Sequence, residues 1–281
     1  MQSQPSSWYK KFLKKPTTRL SLVFLLIITL LAVFAPYVTL YSYDQQNITE
    51  RLQGPSLQHW MGTDALGRDL YSRILYGARM SLAVGVFSAF FSLILGTWVG
   101  SIAGYFGGWI DTILMRMVDM LYIFPSPLLA ILLMLLLGRG FTGILIALSI
   151  TSWVTQARLV RGQVLQVREL TYVEAARALG LSHFGIISRH ILPNILGPII
   201  VSLTIQIPNN IMAESFLSFI GLGLQPPHSS WGTLANEGFR AIQSYPHLIL
   251  FPGVILFLSM LAFSTIGDEL NHLALKQLSP D

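Results

Sequence analysis

The sequence predicts an all-α integral membrane protein with about six transmembrane helices, on three observations. First, of 281 residues 53% are hydrophobic and only 11% are charged, whereas soluble domains carry about 25% charged residues. Second, residues 20–43, 80–110, 120–138, 140–157, 191–213 and 248–267 contain no Asp, Glu, Lys or Arg, and each is near or above the roughly 18–20 residues that cross a hydrocarbon core. Third, these runs are too long and too uniformly apolar for barrel strands, which alternate over about 10 residues. A backbone in lipid must satisfy its own hydrogen bonds, so the runs are helices.

The charges set an orientation. Lys10, Lys11, Lys14, Lys15 and Arg19 precede the first run, and Arg158, Arg161, Arg168, Arg177 and Arg189 surround the polar segment between the fourth and fifth runs. The positive-inside bias puts both regions in the cytoplasm, and the even number of crossings between them makes the two assignments agree. Segment 41–79, with four basic and four acidic residues, then falls outside, as does 225–247, and both termini are cytoplasmic. Residues 1–19 form a cytoplasmic N-terminal segment and 20–281 the transmembrane domain. The first apolar run exceeds the usual signal-peptide core of about 7–15 residues and has no clear cleavage site, which makes it an uncleaved helix. There is no cysteine, which excludes thiolate metal sites and cysteine nucleophiles. Basic residues gathered at the ends of apolar runs argue against a nucleic-acid partner and for the bilayer.

Element by element, the first helix covers roughly Leu20–Leu40 and ends at Tyr37, Tyr41 and Tyr43, residues suited to a membrane interface. The second, roughly Ser81–Tyr105, carries Ser92, Gly96, Gly100 and Gly104 at four-residue intervals, a stripe on which another helix can pack closely. The third begins near Met115 and meets Pro125 and Pro127, which predict a kink or an irregular midpoint. Gly138 to Gly143 match the dinucleotide pattern GxGxxG, but no strand precedes them and the match is false. The fourth helix runs roughly Phe141–Val160. The fifth begins near Asn194 and contains Pro198 and Pro208, with apolar character persisting to Leu224; the sixth covers about Leu248–Ile266.

Segment 161–193 carries the functional argument. Thr171 and Glu174 have the spacing of a capping box. Ala175, Ala176, Arg177, Ala178 and Leu179 favour helix, and Gly180 can take the left-handed conformation that ends one. Ser182 is placed to cap a second short helix leading to Pro193. Two capped helices joined at a glycine, one with a low-relief alanine face, suit docking of another protein.

Glu174-Ala175-Ala176, Gly180 and Leu192-Pro193 resemble the EAA loop of bacterial ABC-importer permeases. One position departs: His190 stands where the family pattern has isoleucine, three before the proline. Gly62-Thr63-Asp64-Ala65-Leu66-Gly67-Arg68-Asp69, Ala157 to Gly162, Arg189 to Asn194, Glu214 to Gly223 and Ser230-Trp231-Gly232 are similar to the dipeptide/oligopeptide/nickel branch of that family, in its second ("C"-type) permease. The resemblance implies a type I importer permease fold in the bacterial cytoplasmic membrane, with 161–193 as the cytoplasmic coupling loop. It further implies a sister permease, one or two cytoplasmic ATPase subunits and an external solute-binding protein. Thr171, Glu174, Ala175, Ala176, Gly180, Leu192 and Pro193 are then the coupling residues, and Gly62, Thr63, Asp64, Gly67, Arg68 and Asp69 an external contact. The chain has no phosphate-cradling GxxxxGK[ST] sequence, so ATP and Mg belong to the ATPase subunits, and no cofactor or catalysis is expected of this chain. The solute expected first is short peptides, with nickel or other small solutes second. Specificity would reside in the binding protein, since few polar groups stand out within the membrane runs.

Ionisable groups at membrane depth are the remaining candidates for a path or gate. Asp119 lies three residues after Arg116, so the two can pair on one helix face, or Asp119 can serve the path. Glu214 is expected near the outer surface, as a gate, a subunit contact or an interfacial salt bridge. The histidines show no metal-ligand spacing. An ion-coupled secondary transporter is the competing class; it gives no reason for a capped docking pair.

Overall fold

The computed structural model describes residues 12–278. Among them the regular structure is helical: α1 (Pro16–Val33), α2 (Leu70–Phe106), α3 (Gly108–Ile123), α4 (Ser126–Leu137), α5 (Phe141–Val167), α6 (Thr171–Ala178), α7 (Leu192–Phe219), α8 (Trp231–Phe239) and α9 (His247–Leu278). Lys10 and Lys11 of the basic cluster lie outside the described residues. Five helical stretches are long and apolar enough to cross a membrane, and α3 with α4, bent by 92° at their break, makes the sixth crossing. The break sits at Phe124, which is extended, and Pro125, which is also non-helical, as the two prolines predict.

α2 is the structural axis. It packs most extensively on α5 and also contacts α7, α1 and α3. The Ser92–Gly104 stripe is the reason: a Cβ at Gly96 would lie 2.6 Å from the Gln156 Cβ, and one at Gly104 2.8 Å from the Val164 Cβ. Larger side chains there would force the helices apart. Ser92 adds a hydrogen bond to the Ser149 carbonyl across the seam (3.2 Å). Contacts climb in the same direction on both helices, so α2 and α5 run parallel, with α3 and α4 as the return crossing.

α2 begins at Leu70, about three turns before the expected Ser81. Asp69 caps it, its carboxylate accepting from the Ser72 amide and hydroxyl, both at 2.8 Å. Arg73 and Arg79 tolerate a helix here because each finds partners far along the chain. Arg73 is buried and paired with Asp64 and Glu237, while Arg79 donates to the carbonyls of Ala32 (3.1 Å) and Val33 (3.0 Å) at the end of α1. The polar segment after α7 also folds: α8 starts at a capping box between Ser230 and Thr233. Its Trp231 is fully buried and donates Nε1–H to the Ile74 carbonyl (3.3 Å).

Candidate functional site

α6 forms as expected, but not through a Thr171–Glu174 capping box. Thr171 is already the first helical residue; the N-cap is Leu170, with no side-chain cap. The turn is closed by backbone alone, the amides of Val173 and Glu174 donating to the Leu170 carbonyl (2.8 and 3.3 Å), so the Thr171 and Glu174 side chains are left exposed. The C-terminus follows the sequence reading. Gly180 has φ +77°, its amide donates to the Arg177 carbonyl (3.0 Å), and the Leu181 amide reaches back to Ala176 (3.2 Å). This is the Schellman pattern.

Ser182 caps the next turn, accepting from the Gly185 amide (3.2 Å), but no separate second helix results. His183–Ile186 pass through a π-helical turn, Ile187–Ile191, directly into α7. The loop is thus one short helix joined by a glycine turn to the foot of a membrane helix. Tyr172 straps the two together, its hydroxyl donating to the His190 carbonyl (3.4 Å). Burial pushes that phenol up, which keeps it a neutral donor. The departure at His190 falls where the backbone carbonyl is used; it also accepts from Asn194 Nδ2 (2.6 Å).

The two faces of α6 differ sharply. Val173 and Ala176 are buried in one cluster with Tyr105 of α2, Val160 and Val164 of α5, and Ile191 and Ile195 at the foot of α7. Glu174, Ala175 and Ala178 lie on the open face, and Leu179 (80% exposed) and Phe184 (77%) project beyond it. Leu192 is half-buried and Pro193 exposed at the start of α7.

Pro193 also lines the loop end of a cleft of about 1380 Å³ between α4, α5 and α7. No Asp, Glu, Lys or Arg among the described residues lines it; its polar groups are amides and hydroxyls, including Ser152, Gln156 and Gln163 on α5 and Ser202, Gln206 and Asn209 on α7. The expectation of few polar groups within the membrane is therefore corrected. The signal was legible as uncharged polar residues recurring at three- to four-residue spacing inside charge-free runs. Cross-links stiffen the wall: Ser152 donates to Asn210 Oδ1 (2.8 Å), Asn210 Nδ2 to Ser88 on α2 (2.8 Å), and Ser202 to Gln156 Oε1 (2.8 Å).

The charged candidates sit elsewhere. Asp119 pairs with Arg158 of α5, whose guanidinium lies 3.9 Å from the Tyr122 ring centroid; the expected Arg116–Asp119 pair does not form. Arg158 reaches Asp119 because α3 packs along α5 at this level. Glu214 is not at the surface but fully buried. It accepts from the hydroxyls of Ser81 (2.9 Å), Ser218 (2.6 Å) and Ser215 (3.4 Å) and forms no ion pair among the described residues, so its place is neither at the surface nor in an interfacial salt bridge. Ser81 in turn accepts from the Trp231 amide (3.2 Å), which makes Glu214 a structural joint between α7, α2 and α8.

Gly62–Asp69 is likewise turned inward, leaving only Ala65 and Leu66 exposed. Asp64 accepts from the amides of Leu66 (2.8 Å) and Arg68 (3.0 Å) and from Arg68 Nε (2.7 Å). Thr63 and Asp69 are joined by a backbone bridge, and Asp69 holds His59 Nδ1 at 2.9 Å. Gly62 (φ +85°) and Gly67 (φ +73°) need their left-handed turns. As an external contact the segment can offer only its two exposed residues; its buried groups brace the outer loop against α2 and α8. Among the described residues no cluster of His, Asp or Glu could hold a metal.

Comparison with known proteins gives this arrangement a context. Residues 6–55 match the N-terminal transmembrane domain of oligopeptide transport permease C. Over 264 residues the chain is 44% identical to the dipeptide transport system permease protein DppC of Bacillus subtilis, covering 94% of this chain and 82% of that one. It is 42% identical to the oligopeptide transport system permease protein OppC of the same organism (95% and 88%), and 40% identical to the glutathione transport system permease protein GsiD of Pectobacterium atrosepticum (94% and 88%). In fold it is similar to a chain of the inward-facing MetNI methionine ABC transporter, with TM-score 0.59, 18% identity and coverage of 73% of this chain and 96% of that one, which makes the architecture that of a type I importer permease. With residues 96–277 matching the family model as well, the chain belongs to the binding-protein-dependent transport system inner membrane components.

Proposed function

We propose that this chain is one of two membrane-spanning subunits of an ATP-driven importer of short peptides, with both termini and the 161–193 loop in the cytoplasm. The observation that carries the reading is the two-faced α6. Its Glu174, Ala175 and Ala178 face, with Leu179 and Phe184 beyond it, is open for an ATPase subunit, while Val173 and Ala176 are packed against three membrane helices. A shift of the docked partner is thereby passed to α2, α5 and α7 together. ATP and Mg are held by that partner, solute is delivered by an external binding protein, and the uncharged cleft forms this subunit's half of the path with a sister permease. Peptides are the assigned solute because relatives 44%, 42% and 40% identical are named for dipeptide, oligopeptide and glutathione transport.

The test is competitive uptake of labelled di- and tripeptides and of radioactive nickel in a strain lacking this gene and in one complemented with Ala178→Arg. Loss of peptide uptake with nickel uptake intact is expected in the deletion. Ala178→Arg should insert normally yet fail to co-purify the ATPase subunit. Normal peptide uptake with nickel uptake lost would reassign the solute, and normal ATPase association in the arginine variant would remove α6 as the docking element.

A further inference from the structure

The cleft wall holds two amide side chains that the fold leaves half satisfied. Gln156 is 3% exposed; its Oε1 accepts from Ser202, and its Nε2 has no partner. Gln206, one turn beyond Ser202 on α7, donates Nε2–H to the carbonyl of Ser152, one turn before Gln156 on α5 (3.1 Å), and its Oε1 has no partner. The result is one unpaired donor and one unpaired acceptor on facing helices, about one helical turn (~5.4 Å) apart along the cleft. Other buried polar atoms without partners belong to Thr18, His59, Arg73, Thr97, Ser101 and His247, none of which lines the cleft. Buried polar groups are normally paired, and an unpaired amide donor beside an unpaired amide acceptor on one wall complements a residue of an extended peptide, whose own N–H and C=O point to the same side.

We propose that Gln156 and Gln206 form a station that reads the main chain of a passing peptide, Gln156 Nε2–H donating to a peptide carbonyl and Gln206 Oε1 accepting from a peptide N–H. The inference rests on the peptide-importer reading and adds to it the atoms by which the solute is recognised. Both free atoms are covered in the solute-free chain, so meeting the solute requires each side chain to swing toward the cleft by a change of rotamer. The station is blind to the solute's side chains, because every peptide offers the same group and no fixed charge lines the wall. A face permanently sealed by a second helix would be flat and small-residue-rich, as α2 is at Gly96 and Gly104; this one encloses about 1380 Å³.

The experiment uses the assembled importer with its binding protein in proteoliposomes. The solutes are labelled trialanine and trialanine whose second residue is N-methylated, which keeps every carbonyl and removes one N–H. The binding protein is common to all measurements, so its own preference cancels between wild type and variant. Gln206→Met should slow trialanine uptake roughly fivefold, the worth of one net hydrogen bond, and shrink the preference for trialanine over its N-methyl form by the same factor. Gln156→Met should slow both solutes equally. An unchanged preference in Gln206→Met overturns the station while leaving the importer reading intact; no trialanine uptake by the wild type overturns both. Should either methionine variant fail to assemble, Gln156→Cys and Gln206→Cys in this cysteine-free chain decide the matter. Trialanine-protected reaction with a small thiol reagent is expected, and no reaction in any state would mean that the sister subunit seals this face.

Discussion

The guanidinium of Arg161 grips the carboxylate of Asp111 through two parallel hydrogen bonds, Nε to Oδ1 and Nη2 to Oδ2, each 2.6 Å. It fastens the first turn of α3 to the last third of α5, about one turn along α5 and about two turns along α3 from the Asp119–Arg158 pair on the same two helices. Bidentate geometry of this kind is stronger than a point contact. Both groups keep some exposure, which holds the stabilisation to about 1 kcal/mol. Asp111→Ala should lower the thermal unfolding midpoint in detergent and open the α3–α5 end to protease. The Asp111→Arg, Arg161→Asp double exchange should recover part of the loss, and an undiminished midpoint in Asp111→Ala would show that the pair carries nothing.

Gly180 provides a graded test of the loop. A Cβ there would meet nothing within 4 Å, so any effect of substitution comes from φ +77° and not from crowding. A β-branched residue is disfavoured in that conformation by about 1–2 kcal/mol, whereas asparagine tolerates it. Uptake normalised to membrane level should fall in the order Gly, Asn, Ala, Val, with Val severalfold below the parent. Equal rates for Asn and Val would refute a role for this turn.

Glu214 should behave as a joint. Glu214→Gln keeps the size, leaves an acceptor for one of Ser81 and Ser218 and offers a donor to the other hydroxyl, and should cost less than an apolar replacement. Glu214→Leu strands those hydroxyls in a closed site and should destabilise the chain by about 2 kcal/mol, read as a lowered midpoint and reduced membrane level. If the leucine variant matches the parent in both, the serine cage is dispensable.

Topology is testable with single cysteines at Ser56, Ser182 and Ser244, all exposed. A membrane-impermeant thiol reagent applied to intact cells should label positions 56 and 244 and leave 182 untouched until the membrane is opened. Labelling of 182 in intact cells would invert the orientation.

Much of this was readable before the fold was known. Charge-free runs located every crossing, Pro125 and Pro127 located the 92° break, and the four-residue stripe on α2 located its tightest contact. What the chain order concealed were partners far away in it. The sequence predicts the second helix only from about Ser81, because the acceptors that let Arg73 sit in its first turns, Asp64 and Glu237, come from two different segments. Asp119 has a same-helix cation three residues back, yet chooses Arg158 because α5 lies alongside. Thr171 fits a cap that the backbone at Leu170 makes unnecessary. Glu214 reads as an interfacial charge until α8 folds over it.

The parallel seam between α2 and α5 has a mechanical consequence. Close glycine contacts leave no room for either helix to slide or bend against the other, so the pair moves as one stiff beam. The 27 residues of α5 make that beam about 40 Å long at 1.5 Å per residue. A push at the α6 end cannot be absorbed midway; a tilt of only about 5° would sweep the far end through about 3.5 Å over that length. The displacement would arrive near Ser81, where the Trp231 amide at the start of α8 is held, so under the proposed docking a modest rotation at the α6 end would be geared into a movement of several ångströms at the far end.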